Sequence, residues 1–214
     1  MSASIGTNSQ NTHRGPNSAG RKRRDKILDS AAKLLLDKPF TDIAYAEIAE
    51  LAGLPVSSCY HYYGDRYEVF RALDQHYSEA FLKAIDFDGP SFRHMESWQQ
   101  GVDIYLRNGK GFSEQHPVAG HIWFKGKVPA STSNAPARDL SLAKRFEQTL
   151  NRYFVLPEFP NRSEVFYFAW EISEQIVAST WTTEIDRDLV FREAGKAMKL
   201  YLGDYLADDL PRRN

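Results

Sequence analysis

From Ala44 to Arg66 the chain reads AYAEIAELAGLPVSSCYHYYGDR, and the punctuation of this stretch leaves the backbone little choice. Ala44, Ile48, Ala49 and Ala52 recur at helical spacing and give a short helix one small apolar stripe, which lets a neighbouring helix approach closely. Gly53 follows directly, and a glycine just past a periodic segment supplies the positive φ that closes a helix C-terminus. Pro55 pre-sets the φ of a first helical turn, so a second helix starts within two residues. So short a connection forces the two axes to cross steeply.

In the second helix Cys59 and Tyr63 lie four apart and point inward, while Val56, Ser57, Tyr60 and His61 share the opposite face. That outer face carries no formal charge. A solvated face ordinarily holds Lys, Glu or Arg. Hydroxyls, an imidazole and rings suit a surface that is hydrogen-bonding and partly apolar, as base edges in the major groove are. An ordinary helical hairpin with a slightly apolar surface gives the same pattern.

From Arg23 to about Phe70 the chain resembles the DNA-binding domain of the TetR (tetracycline-repressor) family of bacterial regulators. The resemblance rests on joint spacing: Ile27, Ala31 and Ala32, Phe40, Ile48-Ala49, Ala52-Gly53-Leu54, Tyr60, Tyr63, Gly64, Arg66 and Val69. It implies that the third helix enters the major groove, with base-edge or backbone roles for Val56, Ser57, Tyr60, His61 and Tyr62. It further implies phosphate contacts from Ser58, Tyr60 and Arg66, the last standing where the family usually has Lys, and from the start of the second helix at Ala44 and Tyr45. The chain departs from the family at Ala44, where a Thr or Ser is common, and at Pro55, which replaces a frequent Ser cap. Val56 is apolar where the family often has a polar or basic residue, which favours van der Waals contact with a thymine methyl over a bidentate hydrogen bond.

Net charge is −1, but residues 1–24 carry +5 with no acid, leaving −6 for the rest. Residues 25–70 hold four basic and eight acidic side chains, so electrostatic affinity for phosphate must come largely from Arg21, Lys22, Arg23 and Arg24 at the head of the first helix. The Ser-, Asn-, Gly- and Thr-rich residues 1–20 read as a disordered polar tail. The start lacks the apolar centre of a secretory signal and no run reaches the ~18–20 apolar residues of a membrane span, so a cytoplasmic protein with no membrane partner is expected. The single Cys59 excludes an internal disulfide and reads as a small core hydrophobe.

Beyond Arg66 the periodicity stays helical. The expected fold is all-α with about nine helices: residues 21–66 a three-helix, helix-turn-helix DNA-binding domain, residues 67–210 a larger helical domain for effector binding and dimerisation. Helix four runs from about Arg66 to Phe87 until Gly89-Pro90 breaks it, helix five from Ser91 to Arg107, a shorter one begins near Pro117, and another follows from about Ala137 on Leu140, Ala143, Phe146 and Leu150. Residues 126–136 (GKVPASTSNAP) read as a loop, either a plain connector or a gate over a pocket.

Two final helices, about Arg162–Thr183 and Asp186–Ala207, form an antiparallel hairpin. The first is apolar round most of its girth, and the second repeats small and apolar residues at three and four. Self-association across a two-fold axis supplies the missing partner, with Val177, Trp181, Val190, Ala194, Ala197, Met198 and Tyr201 at the interface. The resemblance implies the same homodimer, and two symmetry-related heads would read a near-palindromic duplex. Both helices finishing a monomeric core is the plainer alternative.

Aromatic residues exceed what filling needs, and aromatic walls with a few polar groups suit a small-molecule effector, which the family usually binds in its middle helices. Candidate effector residues are His94, Trp98, Tyr105, His121, Trp123, Phe146, Trp170, Glu171, Glu174 and Gln175, with Glu171, Glu174 and Gln175 either orienting a ligand or facing solvent. The histidines match no metal motif, and no cofactor is expected. The leading reading is a dimeric regulator, a repressor released by an effector. An all-α enzyme, or a helical adaptor with a silent helix-turn-helix, is the alternative; no phosphate loop, nucleophile elbow or paired acid/base motif supports the enzyme.

Overall fold

A computed structural model describes residues 18–125 and 135–213 of the chain. Most of the expected tail and all but the last two residues of the 126–136 loop lie outside the described residues. The elements are α1 (Ser18–Asp37), a 3-10 turn (Phe40–Asp42), α2 (Tyr45–Ala52), α3 (Val56–Tyr60), α4 (Arg66–Ile85), α5 (Pro90–Arg93), α6 (Trp98–Gln115), α7 (Pro117–Gly120) running into a π turn (His121–Lys125), α8 (Ala135–Tyr153), α9 (Arg162–Thr182) and α10 (Arg187–Gly203). Residues 18–20, assigned to the tail by composition, already belong to α1. Among the described residues the only β pairing is an isolated bridge between Phe154 and Arg212, and no helix is long and apolar enough to cross a membrane.

The head is small and built on one core. Ile27, Ala31 and Leu35 of α1 meet Ile48 and Ala49 of α2, Cys59 of α3 and Val69, Phe70 and Leu73 of α4. Gly53 sits at φ 65°, closing α2 with its N–H shared between the carbonyls of Ala49 and Glu50. Pro55, with φ −58° and ψ 140°, occupies the cap position before α3, one residue ahead of the first helical turn. Asp65 caps α4 by accepting from Glu68 N–H at 2.8 Å.

α4 is common to both halves: its first turns fill the head core, while Phe81 and Ile85 belong to the body core. A boundary at residue 66 therefore separates the chain where the packing is continuous. Val118 of α7 and Ile122 of the π turn also insert into the head core, so the head rests on the body through a second support.

The body packs α6, α8, α9 and α10 around Trp98, Tyr105, Phe146, Phe166 and Trp170. Helix five is two pieces, because the Ser97 hydroxyl accepts from Gln100 N–H at 3.2 Å and starts α6 there, while α6 continues through Gly109 and Gly111 to Gln115. In α8 the inward stripe is Leu142, Ala143, Phe146 and Leu150, and Leu140 is exposed. The C-terminal segment is tied down: Trp98 Nε1 donates to Ala207 O at 2.9 Å and Arg212 Nη1 to Met95 O at 2.9 Å.

The hairpin of α9 and α10 forms as the pattern predicts, but its small and apolar stripe is used internally. Val177, Val190, Ala194 and Met198 are buried within the protomer's own core, because they are what joins α9 to α10 and the rest of the body. Little of that stripe is left at the protomer's surface for a second copy to meet. The outer faces expose Phe168 (52%) and Ile172 one turn apart on α9 and Leu189 and Leu200 (67%) on α10, with Ala197 and Tyr201 half-buried beside them.

Candidate nucleic-acid interface

α3 is held by one buried anchor and displays the rest. Cys59 is fully buried, and burial pushes its thiol upward, which keeps it in the unreactive protonated form. Val56, Ser57, Tyr60 and His61 are exposed, and Ser58 and Tyr62 are half-buried. Tyr60 is 54% exposed, and its ring meets Tyr45 edge-on at 4.7 Å, so the two rings stiffen one another at the junction of α2 and α3. Tyr45 donates its hydroxyl to Tyr63 O at 2.7 Å, and burial with nearby acidic groups pushes this phenol up to about 12, fixing it as a donor.

Ala44 has no side chain to cap α2, yet half of a capping box survives: its N–H donates to Glu47 Oε2 at 2.7 Å, and Lys38 pairs with the same carboxylate. The helix start is thus satisfied without the usual hydroxyl. Arg23 Nη1 donates to Tyr62 Oη at 3.4 Å, which brings the basic cluster of α1 against the end of α3; Arg24 is exposed beside it. Arg66 is turned inward. Its Nη1 donates to Ile43 O at 2.8 Å and Thr41 O at 3.3 Å, and its guanidinium lies over the rings of Phe40 and Tyr67 at 5.4 and 5.2 Å. It staples α4 to the 3-10 turn, and a phosphate would have to draw it away from two carbonyls.

Of the ten side chains read from sequence as effector candidates, three come together. Tyr105, Trp123 and Glu174 line a small cavity between α4, α6, α7, the π turn, α8, α9 and α10, whose free space is about 30 Å³. Tyr105 donates its hydroxyl to Glu174 Oε1 at 2.9 Å. Burial, with the nearby Asp139, raises Glu174 to about 7, and burial with Glu174 holds the Tyr105 phenol well above its ordinary value. Trp98, Phe146 and Trp170 are core. His94 is exposed with Nδ1 on Pro90 O, Gln175 is exposed, and Glu171 is half-buried on α9. His121 lies at the seam between head and body, where its Nδ1 donates to Leu35 O near the end of α1.

Trp181 and Arg138 complete the cavity. Trp181, assigned by pattern to a dimer face, stacks on Phe124 at 5.0 Å and covers Gly120, where an added Cβ would lie 1.8 Å from its ring. Only glycine admits the indole there. Arg138 is 8% exposed and its guanidinium lies over the Trp123 ring at 4.2 Å. The sequence offered a signal for it: Arg138 continues the inward spacing of Leu142 and Phe146 by one further turn. The misplaced stripe on Leu140 hid that.

Residues 27–73 match the family model for bacterial regulatory proteins of the tetR family. No curated protein matches the chain in sequence. Among solved structures, a TetR-family transcriptional regulator from Streptomyces coelicolor is similar at a TM-score of 0.66 and 19% identity, covering 86% of this chain and 99% of its own. A putative TetR-family regulator from Syntrophomonas wolfei gives 0.66 and 15%, over 86% and 96%. The fatty acid degradation regulator FadR from Bacillus halodurans gives 0.58 and 12%, over 81% and 96%. At these identities the likeness is one of fold.

Proposed function

We propose, for a chain whose residues 27–73 belong to the TetR family and whose fold is that of its transcriptional regulators, that it acts in the cytoplasm as a homodimeric repressor and is not an enzyme. It reads a near-palindromic duplex and is released by a small molecule. The observation that carries the reading is the outward, uncharged face of α3, with Val56 at 38% and Tyr60 at 54% exposed while Cys59 is fully buried behind them. Base contacts fall to Val56, Ser57, Tyr60, His61 and Tyr62, and phosphate contacts to Ser58, Arg23, Arg24 and the N-terminus of α2 at Ala44 and Tyr45. Exposed Phe168, Ile172 and Leu200 supply the apolar surface on which a second copy docks, which sets the spacing of the two heads.

Release follows from differential affinity. A ligand that prefers the body conformation with mismatched heads lowers duplex affinity by the ratio of its affinities for the two states. The cavity reaches the helix that head and body share, because Phe81 of α4 lines it and Trp123 in its wall bonds Asp74 of α4. Selection of bound duplexes from a random pool tests the reading. A near-palindromic motif is expected, with affinity for it falling at least ~100-fold in a Tyr60→Ala, His61→Ala double variant, as two lost contacts per head predict. Recovery of no preferred duplex at low salt ends it.

A further inference from the structure

Arg138 is a buried cation with one arm left over. Its Nε donates to Asp139 Oδ1 at 2.8 Å and its Nη2 meets the same oxygen at 2.8 Å, while Nη1 is buried and has no hydrogen-bond partner. The side chain is only 5% exposed and lines the aromatic cavity. A buried N–H of a charged group left unpaired is costly, and such groups in native proteins are satisfied by a partner.

The surroundings decide what that partner is. A cation would leave Nη1 unsatisfied and face a guanidinium. A full anion would bring excess negative charge: Asp139 already neutralises Arg138, Glu171 and Asp74 act electrostatically on Asp139, and the Glu174 carboxyl in the same cavity is already pushed toward its uncharged form by burial and by Asp139. An uncharged acceptor satisfies the donor and adds no charge. The remaining walls are rings, among them Phe81, Phe112, Trp123 and Trp181. We propose that this cavity binds an uncharged, ring-bearing molecule through a carbonyl oxygen that accepts from Arg138 Nη1. The free space of about 30 Å³ holds about two waters, so the ring enters by displacing Trp181, which is only half-buried over Gly120.

This deepens the effector reading, on which only its link to DNA release rests. Calorimetric titration of the full chain, without DNA, uses four probes of one shape: acetophenone, ethylbenzene, benzoate and 1-phenylethylamine. Acetophenone is expected to bind about tenfold more tightly than each of the others, the discrimination expected of one hydrogen bond to a charged donor. Arg138→Met is expected to lower acetophenone to the level of ethylbenzene and leave ethylbenzene unchanged. Preference for benzoate or the amine, a ketone preference that survives in Arg138→Met, or no binding by any probe overturns the proposal. Should the methionine variant fail to fold, the carbonyl carbon resonance of labelled acetophenone bound to the unsubstituted protein decides. A downfield shift from its value in hydrocarbon supports the bond, and an unchanged value overturns it. Ketone binding that leaves duplex affinity unaltered keeps this site and removes its effector role, whereas absence of duplex binding bears on the regulator reading alone.

Discussion

Trp123 Nε1 donates to Asp74 Oδ1 at 2.9 Å, and Asp74 is fully buried in the middle of α4. An indole that forms the wall of the cavity therefore also satisfies a carboxylate on the helix that the head and body share. The two cores are joined here by a polar bond whose acceptor is shut away from water.

Trp123→Phe keeps a ring against Phe112, which it stacks at 6.0 Å, and removes the N–H. Asp74 then loses the indole donor at 2.9 Å, while the Ser78 hydroxyl stays at 3.4 Å. The expected cost is about 1–3 kcal/mol, read as a lower urea midpoint with an unchanged slope. A midpoint equal to that of the parent would show that the bond adds nothing.

Glu174 gives stability a pH dependence of defined sign. Its carboxyl is raised from an ordinary 4.5 to about 7 by burial and by Asp139 and Glu171, against the lowering influence of Arg138 and the Tyr105 hydroxyl. A raised acid favours the folded state most when protonated, so its contribution is complete below pH 4.5 and is lost as pH rises through 7. Glu174→Gln keeps an acceptor for Tyr105 and removes the titration. The variant is expected to gain on the parent between pH 4.5 and 8 by on the order of 2–3 kcal/mol. Taking the difference between the two proteins cancels the opposite contribution of carboxylates such as Asp88, which arginine neighbours hold low. Parallel midpoint curves would place Glu174 in water.

Phe168→Lys with Leu200→Lys tests the dimer. Both side chains are more than half exposed in the protomer, so helicity and melting of the single chain should change little. Sedimentation is expected to show a monomer at concentrations where the parent is a dimer, and duplex affinity is expected to fall by ~100-fold or more as one head binds alone. An intact dimer with both lysines in place would move the interface elsewhere.

Local chemistry was the legible part of this chain. Gly53 and Pro55 fix the helix-turn-helix because a positive φ and a locked φ need no tertiary partner, whereas α4 stops at Ile85, short of the expected Phe87, on Asp86 in the left-handed region at φ 48°, and Gly89-Pro90 starts α5 instead of ending α4. The break at Ser97 was there to be read as well. Ser97 and Gln100 form a capping pair, with Gln100 Oε1 accepting from Glu96 N–H, but the apolar repeat from Met95 to Tyr105 runs smoothly across it. What periodicity does not carry is destination. Val190, Ala194 and Met198 pack inward whether their partner lies in the same chain or in a second copy, and Val118 and Ile122 give no sign that they cross to the head. Arg138 was obscured differently, since a charge at the end of an amphipathic helix is ordinarily solvated.

The insertion of Val118 and Ile122 among Ile27, Leu35, Phe40 and Phe70 makes the modularity of this protein incomplete. A reading head grafted from here onto an unrelated body would arrive with two holes in its floor. Exchange of DNA specificity between such proteins is therefore better done by replacing the surface of α3 alone than by cutting at α4, because the seam that looks like a hinge in the chain is mortared from the other side.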